Sequence, residues 1–211
     1  MKILFQGDSV TDCGRRVSGG EGYEKGLLGP GYPGLIKSRL SCDYPDRDFE
    51  FINRGISGNR VVDLYARWRV DCINLAPDVL SILIGVNDSW HEDFQNGVEV
   101  PRAKRIYNEL LDWTVQVLPS IKLILLEPFV VADSEHGNLA ETVYQRAAGV
   151  KEAAERLGDR AVFVPLQKRI DKASEKVGWQ HWLVDGVHPT PAGHQLIADA
   201  WIDAAKGFLS L

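Results

Sequence analysis

Short apolar runs alternate along the chain with stretches in which apolar residues recur every three to four positions, the pattern of strands alternating with helices. The first run covers residues 2–6 and stops abruptly at Gly7-Asp8-Ser9. A loop is predicted over residues 10–30, where Gly14, Gly19, Gly20, Gly22, Gly26 and Gly29 lie among charged side chains. Residues 31–40 read as a helix with Leu35, Ile36 and Leu40 apolar. Phe49, Phe51 and Ile52 mark a second strand, which ends in Asn53-Arg-Gly-Ile-Ser-Gly-Asn59. Residues 60–75 read as helix on Val61, Leu64, Trp68 and Ile73. The clearest strand is 77–85, a near-continuous branched run of the kind that a strand buried on both faces requires.

The second half repeats the alternation. Residues 102–118 carry Ile106, Leu110, Leu111, Val115 and Leu118 on one helical side, and Pro119 ends them. A fourth strand is predicted at 121–126, a loop over the sheet edge at 127–138, a helix at 139–157 and a fifth strand at 161–164. A short helix at 166–177 and an irregular segment at 178–189 precede a closing amphipathic helix at 191–209, with Pro191 suited to its first turn. Five strands alternating with helices imply right-handed crossovers and a parallel sheet covered on both faces. No linker, repeat or low-complexity tract divides the chain, so one domain is expected over residues 1–211. The motifs that end strands one, two and three all fall at the carboxyl edge of the sheet, where open α/β sheets bind ligands. The 10–30 loop is longer than most connections and is expected to help wall that site.

Composition narrows the partners. A net charge of −5 with no run of Lys or Arg argues against nucleic acid and anionic membrane surfaces. The longest apolar stretches fall short of the roughly 20 residues that span a bilayer. Cys13, Cys42 and Cys72 are odd in number and lack C-x-x-C spacing, which argues against a disulfide framework and a zinc site. A reducing compartment and the absence of a signal-peptide pattern give a cytoplasmic expectation. The five histidines lack H-x-x-x-H or H-E-x-x-H spacing, so no catalytic metal is expected.

The chemistry is that of ester cleavage. A serine attacks an ester when a base takes its proton, a third group orients the base, and donors hold the oxyanion. Ser9 is the candidate nucleophile. Alone, Gly-Asp-Ser is a weak signal that reads first as a turn or helix cap; its place directly after a buried strand singles it out. His188 is the candidate base, within Asp185-Gly-Val-His-Pro189. A carboxylate three residues ahead on a constrained turn can reach Nδ1 and leave Nε2 for the serine. His194 falls inside the closing helix and reads as structural, while His91, His136 and His181 lack a carboxylate placed in this way. Oxyanion donors are expected from the backbone N–H of Ser9, the backbone N–H of Gly58 and the side chain of Asn87, each worth roughly 3–4 kcal/mol in such sites. Asp8, Trp90 and Trp182 are candidate substrate contacts, the two tryptophans because aromatic faces suit sugar rings.

Together these blocks resemble the SGNH (GDSL-type) hydrolase superfamily: Gly7-Asp8-Ser9, Asn53 through Gly58, Gly85-Val-Asn87-Asp88 and Asp185-Gly-Val-His188. Val10 stands where the name-giving leucine of that group would be, a conservative apolar exchange. The resemblance implies a flavodoxin-like three-layer α/β/α sandwich with strand order 2-1-3-4-5. It implies a Ser9–His188–Asp185 triad with Gly58 and Asn87 as oxyanion donors, and no metal or organic cofactor. A narrower likeness rests on Ser9-Val-Thr-Asp-Cys-Gly14, Gly55-Ile-Ser-Gly-Asn59, Ala66-Arg-Trp68, Gly85-Val-Asn-Asp-Ser-Trp90 and a tryptophan ahead of the Asp-x-x-His. These stretches resemble intracellular carbohydrate acetylesterases such as acetylxylan esterases, which act on acetylated xylo-oligosaccharides and often form homo-oligomers. The expected partner is therefore a small acetylated carbohydrate. Two other readings compete: a lysophospholipase or acyl-thioesterase of the same superfamily, and a flavodoxin-like phosphate- or nucleotide-binding module without hydrolase activity.

Overall fold

A computed structural model of the chain describes residues 1–16 and 27–210. Five strands form one parallel sheet in the order β2-β1-β3-β4-β5, as expected. They are β1 (Lys2–Gly7), β2 (Glu50–Asn53), β3 (Val79–Leu83), β4 (Lys122–Leu126) and β5 (Ala161–Val164). Around them lie α1 (Ser9–Asp12), α2 (Tyr32–Asp43), α3 (Val61–Asp71), α4 (Val86–Trp90), α5 (Val100–Val117), α6 (Ala140–Leu157), α7 (Gln167–Val177) and α8 (Pro191–Phe208).

The period-two alternation of side chains splits the branched strand residues between two cores. Ile3, Phe5, Val79, Leu83, Ile124 and Leu126 pack with Tyr32, Ile36 and Leu40 of α2 and with Ile197 and Trp201 of α8. Leu4, Leu80, Ile82, Leu123 and Leu125 point the other way, onto Leu64 and Trp68 of α3, Leu110 and Leu111 of α5 and Val150 of α6. Each face is anchored by a fully buried tryptophan whose indole N–H is satisfied. Trp201 donates to the Ser81 hydroxyl on β3 at 3.0 Å, and Trp68 donates to the Thr114 hydroxyl on α5 at 2.9 Å.

Most observed boundaries lie within three residues of the sequence expectation, and the differences concentrate at the sheet's carboxyl edge. Residues 10–12, expected as loop, join Ser9 in α1 because the Asp8 carboxylate caps the turn, accepting the Val10 N–H at 3.1 Å. Residues 86–90, which follow the strand expected over 77–85, form α4 because Gly85, at φ +132°, turns the chain sharply out of β3. The helix expected over 60–75 ends at Asp71, and a separate 3-10 turn covers Ile73–Leu75. Of the loop expected over 10–30, residues 17–26 lie outside the described residues, and the expected wall of the site with them.

Candidate active site

β1 delivers Ser9 to the carboxyl edge through Gly7, where the chain runs too close to its neighbours for any side chain. A Cβ there would lie 2.3 Å from both the Leu83 carbonyl oxygen and the Thr11 hydroxyl. Ser9 then opens α1, and its carbonyl is held by the Cys13 N–H at 2.9 Å. The Ser9 Oγ lies 2.9 Å from His188 Nε2. On the far side of that ring, His188 Nδ1 lies 2.7 Å from Asp185 Oδ2. The other carboxylate oxygen of Asp185 accepts the N–H groups of Val187, at 3.0 Å, and His188, at 2.8 Å. Burial raises the Asp185 carboxyl, but the bonds from His188 and Val187 outweigh it and hold the group below its ordinary value. An ionised Asp185 is acceptor-only, so Nδ1 carries the ring proton and Nε2 is left to accept from the serine hydroxyl.

The second and third motifs gather beside this line. The Asn53 side chain donates to the carbonyls of Thr11 and Leu28, at 2.7 and 2.9 Å, and its oxygen accepts the Gly55 N–H at 2.9 Å. Ser57 binds Asp12 of α1 through both its N–H and its hydroxyl, at 3.0 and 2.8 Å. The 53–59 loop is thereby lashed to the same turn that carries Ser9. Gly58 within it takes φ +80°, a conformation that side-chain-bearing residues resist. Asn87, in the first turn of α4, donates from Nδ2 to the Asn59 carbonyl at 3.1 Å, which sets its amide beside Gly58.

The remaining expected residues divide. The ring of Trp90 packs 5.7 Å from that of His188, at the site. Asp8, expected as a substrate contact, is buried. It is 3% exposed, turned inward onto the Val10 N–H, and burial pushes its carboxyl up to about 7 against the pull of that N–H and of His188. Its place is the N-cap of α1. The Trp182 ring packs against the α2–α8 core and edge-on to His181 at 4.8 Å, while its carbonyl accepts the Thr190 N–H at 2.9 Å. His194 is buried behind the site, where its Nδ1 accepts the Tyr32 N–H and its Nε2 faces Cys13 Sγ, each at 3.2 Å.

One histidine that the sequence reading sets aside for want of a carboxylate lies at the site. His136 Nε2 lies 3.9 Å from Asp185 Oδ2, and its ring lies 3.9 Å from that of Trp90. Its one sequence signal was its place in the loop after strand four. Among the described residues, no group of three or more His, Cys, Asp or Glu is placed to hold a metal ion. No helix among them is long and apolar enough to cross a membrane.

A model of the GDSL-like lipase/acylhydrolase family matches residues 5–196. The acetylxylan esterase of Geobacillus stearothermophilus is 36% identical over 207 residues, covering 95% of this chain and 92% of its own. Its crystal structure superposes with a TM-score of 0.85 at 35% identity, over 96% of this chain and 93% of that one. Two further structures of that enzyme are of catalytic mutants, in which a serine and an aspartate are each replaced by alanine. A candidate GDSL-like lipase from Parabacteroides merdae superposes with a TM-score of 0.89 at 36% identity, over 98% of this chain and 95% of that one. An alpha/beta hydrolase enzyme from the metagenome of Lake Arreo, Spain, gives 0.87 at 32%, with the same coverage.

Proposed function

Because this chain belongs to the GDSL-like lipase/acylhydrolase family, and is a serine esterase on that premise, we propose that it removes acetyl groups from acetylated sugars through an acyl-enzyme on Ser9. The observation that carries this reading is the unbroken line from Ser9 Oγ to His188 Nε2 at 2.9 Å and from His188 Nδ1 to Asp185 at 2.7 Å. His188 takes the hydroxyl proton as Ser9 attacks the acetyl carbonyl, and Asp185 steadies the imidazolium that forms. The N–H groups of Ser9 and Gly58 and the Asn87 amide receive the developing oxyanion. The imidazolium then returns its proton to the departing sugar oxygen. Water, deprotonated by the same ring, attacks the acetyl-serine and releases acetate.

The choice of a sugar acetate is supported by the likeness to an acetylxylan esterase and by Trp90, an aromatic ring standing beside His188. Hydrolysis of p-nitrophenyl acetate, butyrate and octanoate by wild type and Ser9→Ala tests both levels of the proposal. Acetate is expected to be the preferred ester, and Ser9→Ala to lose about three or more orders of magnitude in kcat. Acetylated xylo-oligosaccharides are expected to release acetate at rates above those of the aryl ester. A preference for octanoate would overturn the sugar-acetate reading, and an unimpaired Ser9→Ala would overturn the mechanism.

A further inference from the structure

We infer that Arg146, a buried side chain of α6, is a positioning residue that holds the Asn87 amide in place from beneath α4. The inference rests on the reading of Asn87 as an oxyanion donor. The residue is distant in sequence from every motif of the site, and its side chain is 4% exposed.

Two hydrogen bonds and one charge interaction tie it to the stretch from Asn87 to Val98. Its Nε donates to the Ser89 hydroxyl at 2.9 Å, two residues beyond Asn87. The same hydroxyl receives Thr142 Oγ1 of α6 at 2.8 Å, so α6 grips α4 through one atom from two directions. Its Nη2 donates to the Val98 carbonyl at 2.6 Å, and the Val98 N–H closes back onto the Asp88 carbonyl at 2.9 Å. The guanidinium thereby pins both ends of the excursion from Asp88 to Val98. Third, its charge acts on the Asp88 carboxylate, and both residues line one cavity of about 30 Å³. Burial raises the Asp88 carboxyl to about 6, and the Arg146 charge is the largest influence opposing that rise.

Asp88 in turn accepts the Val61 N–H with both carboxylate oxygens, at 3.1 and 3.2 Å. Val61 opens α3 directly after the loop that holds Gly58 and Asn59. The residue that follows Asn87 therefore ties α4 to the loop on which the other backbone donor sits, and a charged Asp88 makes the stronger bond. A helix of five residues has little stability of its own. Held by Ser89, Val98 and Asp88, its first turn has one place to sit. An oxyanion donor displaced by about 1 Å loses much of its effect on rate.

The experiment is a double-mutant cycle in kcat and KM for p-nitrophenyl acetate, combining Arg146→Met and Arg146→Lys with Asn87→Ala. Asn87→Ala is expected to cost about 10²- to 10³-fold in kcat. Arg146→Met is expected to cost about 10- to 100-fold in kcat with KM little changed, because the donor acts on the transition state. Arg146→Lys, which keeps the charge and loses the fork, falls between. In the Asn87→Ala background, Arg146→Met is expected to add less than about twofold. Equal losses in both backgrounds, or a loss carried by KM, would show Arg146 acting elsewhere, through Trp90 for example, and overturn the inference. Should Arg146→Met fail to fold, Ser89→Ala carries the same test: its loss in kcat is expected to vanish once Asn87 is alanine. A loss that persists, or none at all, overturns the inference. If Asn87→Ala is itself harmless, the oxyanion role falls and takes this inference with it, whereas a costly Asn87→Ala with additive Arg146→Met defeats the positioning role alone.

Discussion

His194 shows how firmly a single residue's surroundings can set its charge. The Tyr32 N–H donates to Nδ1, so the neutral ring carries its proton on Nε2, toward Cys13. Burial, reinforced by the His188 charge, depresses the His194 pKa to about 4. An unfolded histidine titrates near 6.5, so between those values the unfolded chain binds a proton that the native chain refuses. His194 therefore supports the fold above about pH 6.5, and that support is lost as the pH falls toward 4, by roughly 1.4 kcal/mol per pH unit at the steepest. Asp8 has the opposite sign, because its raised pKa of about 7 favours the native state at low pH and that contribution is lost as the pH rises through 7. Comparing His194→Gln with wild type isolates the first slope: urea midpoints are expected to converge as the pH falls from 7 to 4. Residues of this kind differ in how far the sequence announces them. Asp185 and His188 were legible because their pairing is local, three positions apart on one turn. Arg146 and His136 were not, because packing alone brings them to Asp88 and Asp185. The inward turn of Asp8 was not legible either, because a motif reveals which residues cluster and not which way each side chain turns.

Between elements, the tightest joint is that of β1 with α1. A methyl group at Gly7 would drive into the Leu83 carbonyl, a backbone atom of the neighbouring strand that cannot step aside. Gly7→Ala is expected to destabilise by about 1–3 kcal/mol through overpacking. It should also lower kcat well beyond the loss of folded protein, since Ser9 follows two residues later. Urea denaturation and p-nitrophenyl acetate kinetics on the same sample check both. The strands and long helices were legible because their apolar periods run for several turns or alternate in continuous runs. α1 and α4 were not, because four or five residues are too few to display a helical period. What made them helices was a cap at Asp8 and a positive φ at Gly85, each a matter of one residue.

On the scale of the molecule, two cores share one sheet, and each keeps its own buried tryptophan. Trp68→Phe and Trp201→Phe each remove an indole donor from a buried hydroxyl, of Thr114 and Ser81, at an expected cost of about 1–3 kcal/mol. Their partners lie on opposite faces, so the two losses are expected to add within about 0.5 kcal/mol. Because the strands belong to both cores, unfolding should remain one transition in the double variant, as read by coincident fluorescence and circular dichroism curves. The order of assembly has a consequence during synthesis. Ser9 leaves the ribosome 179 residues ahead of its partner across the 2.9 Å contact. Under the proposed roles, a nascent chain can display nucleophile, Gly58 and Asn87 and still lack its base. Such a chain is chemically silent toward esters until the 185–188 turn has been translated and docked. The first turnover therefore doubles as a docking signal, and p-nitrophenol release in a translating extract reports molecules in which that turn has reached Ser9.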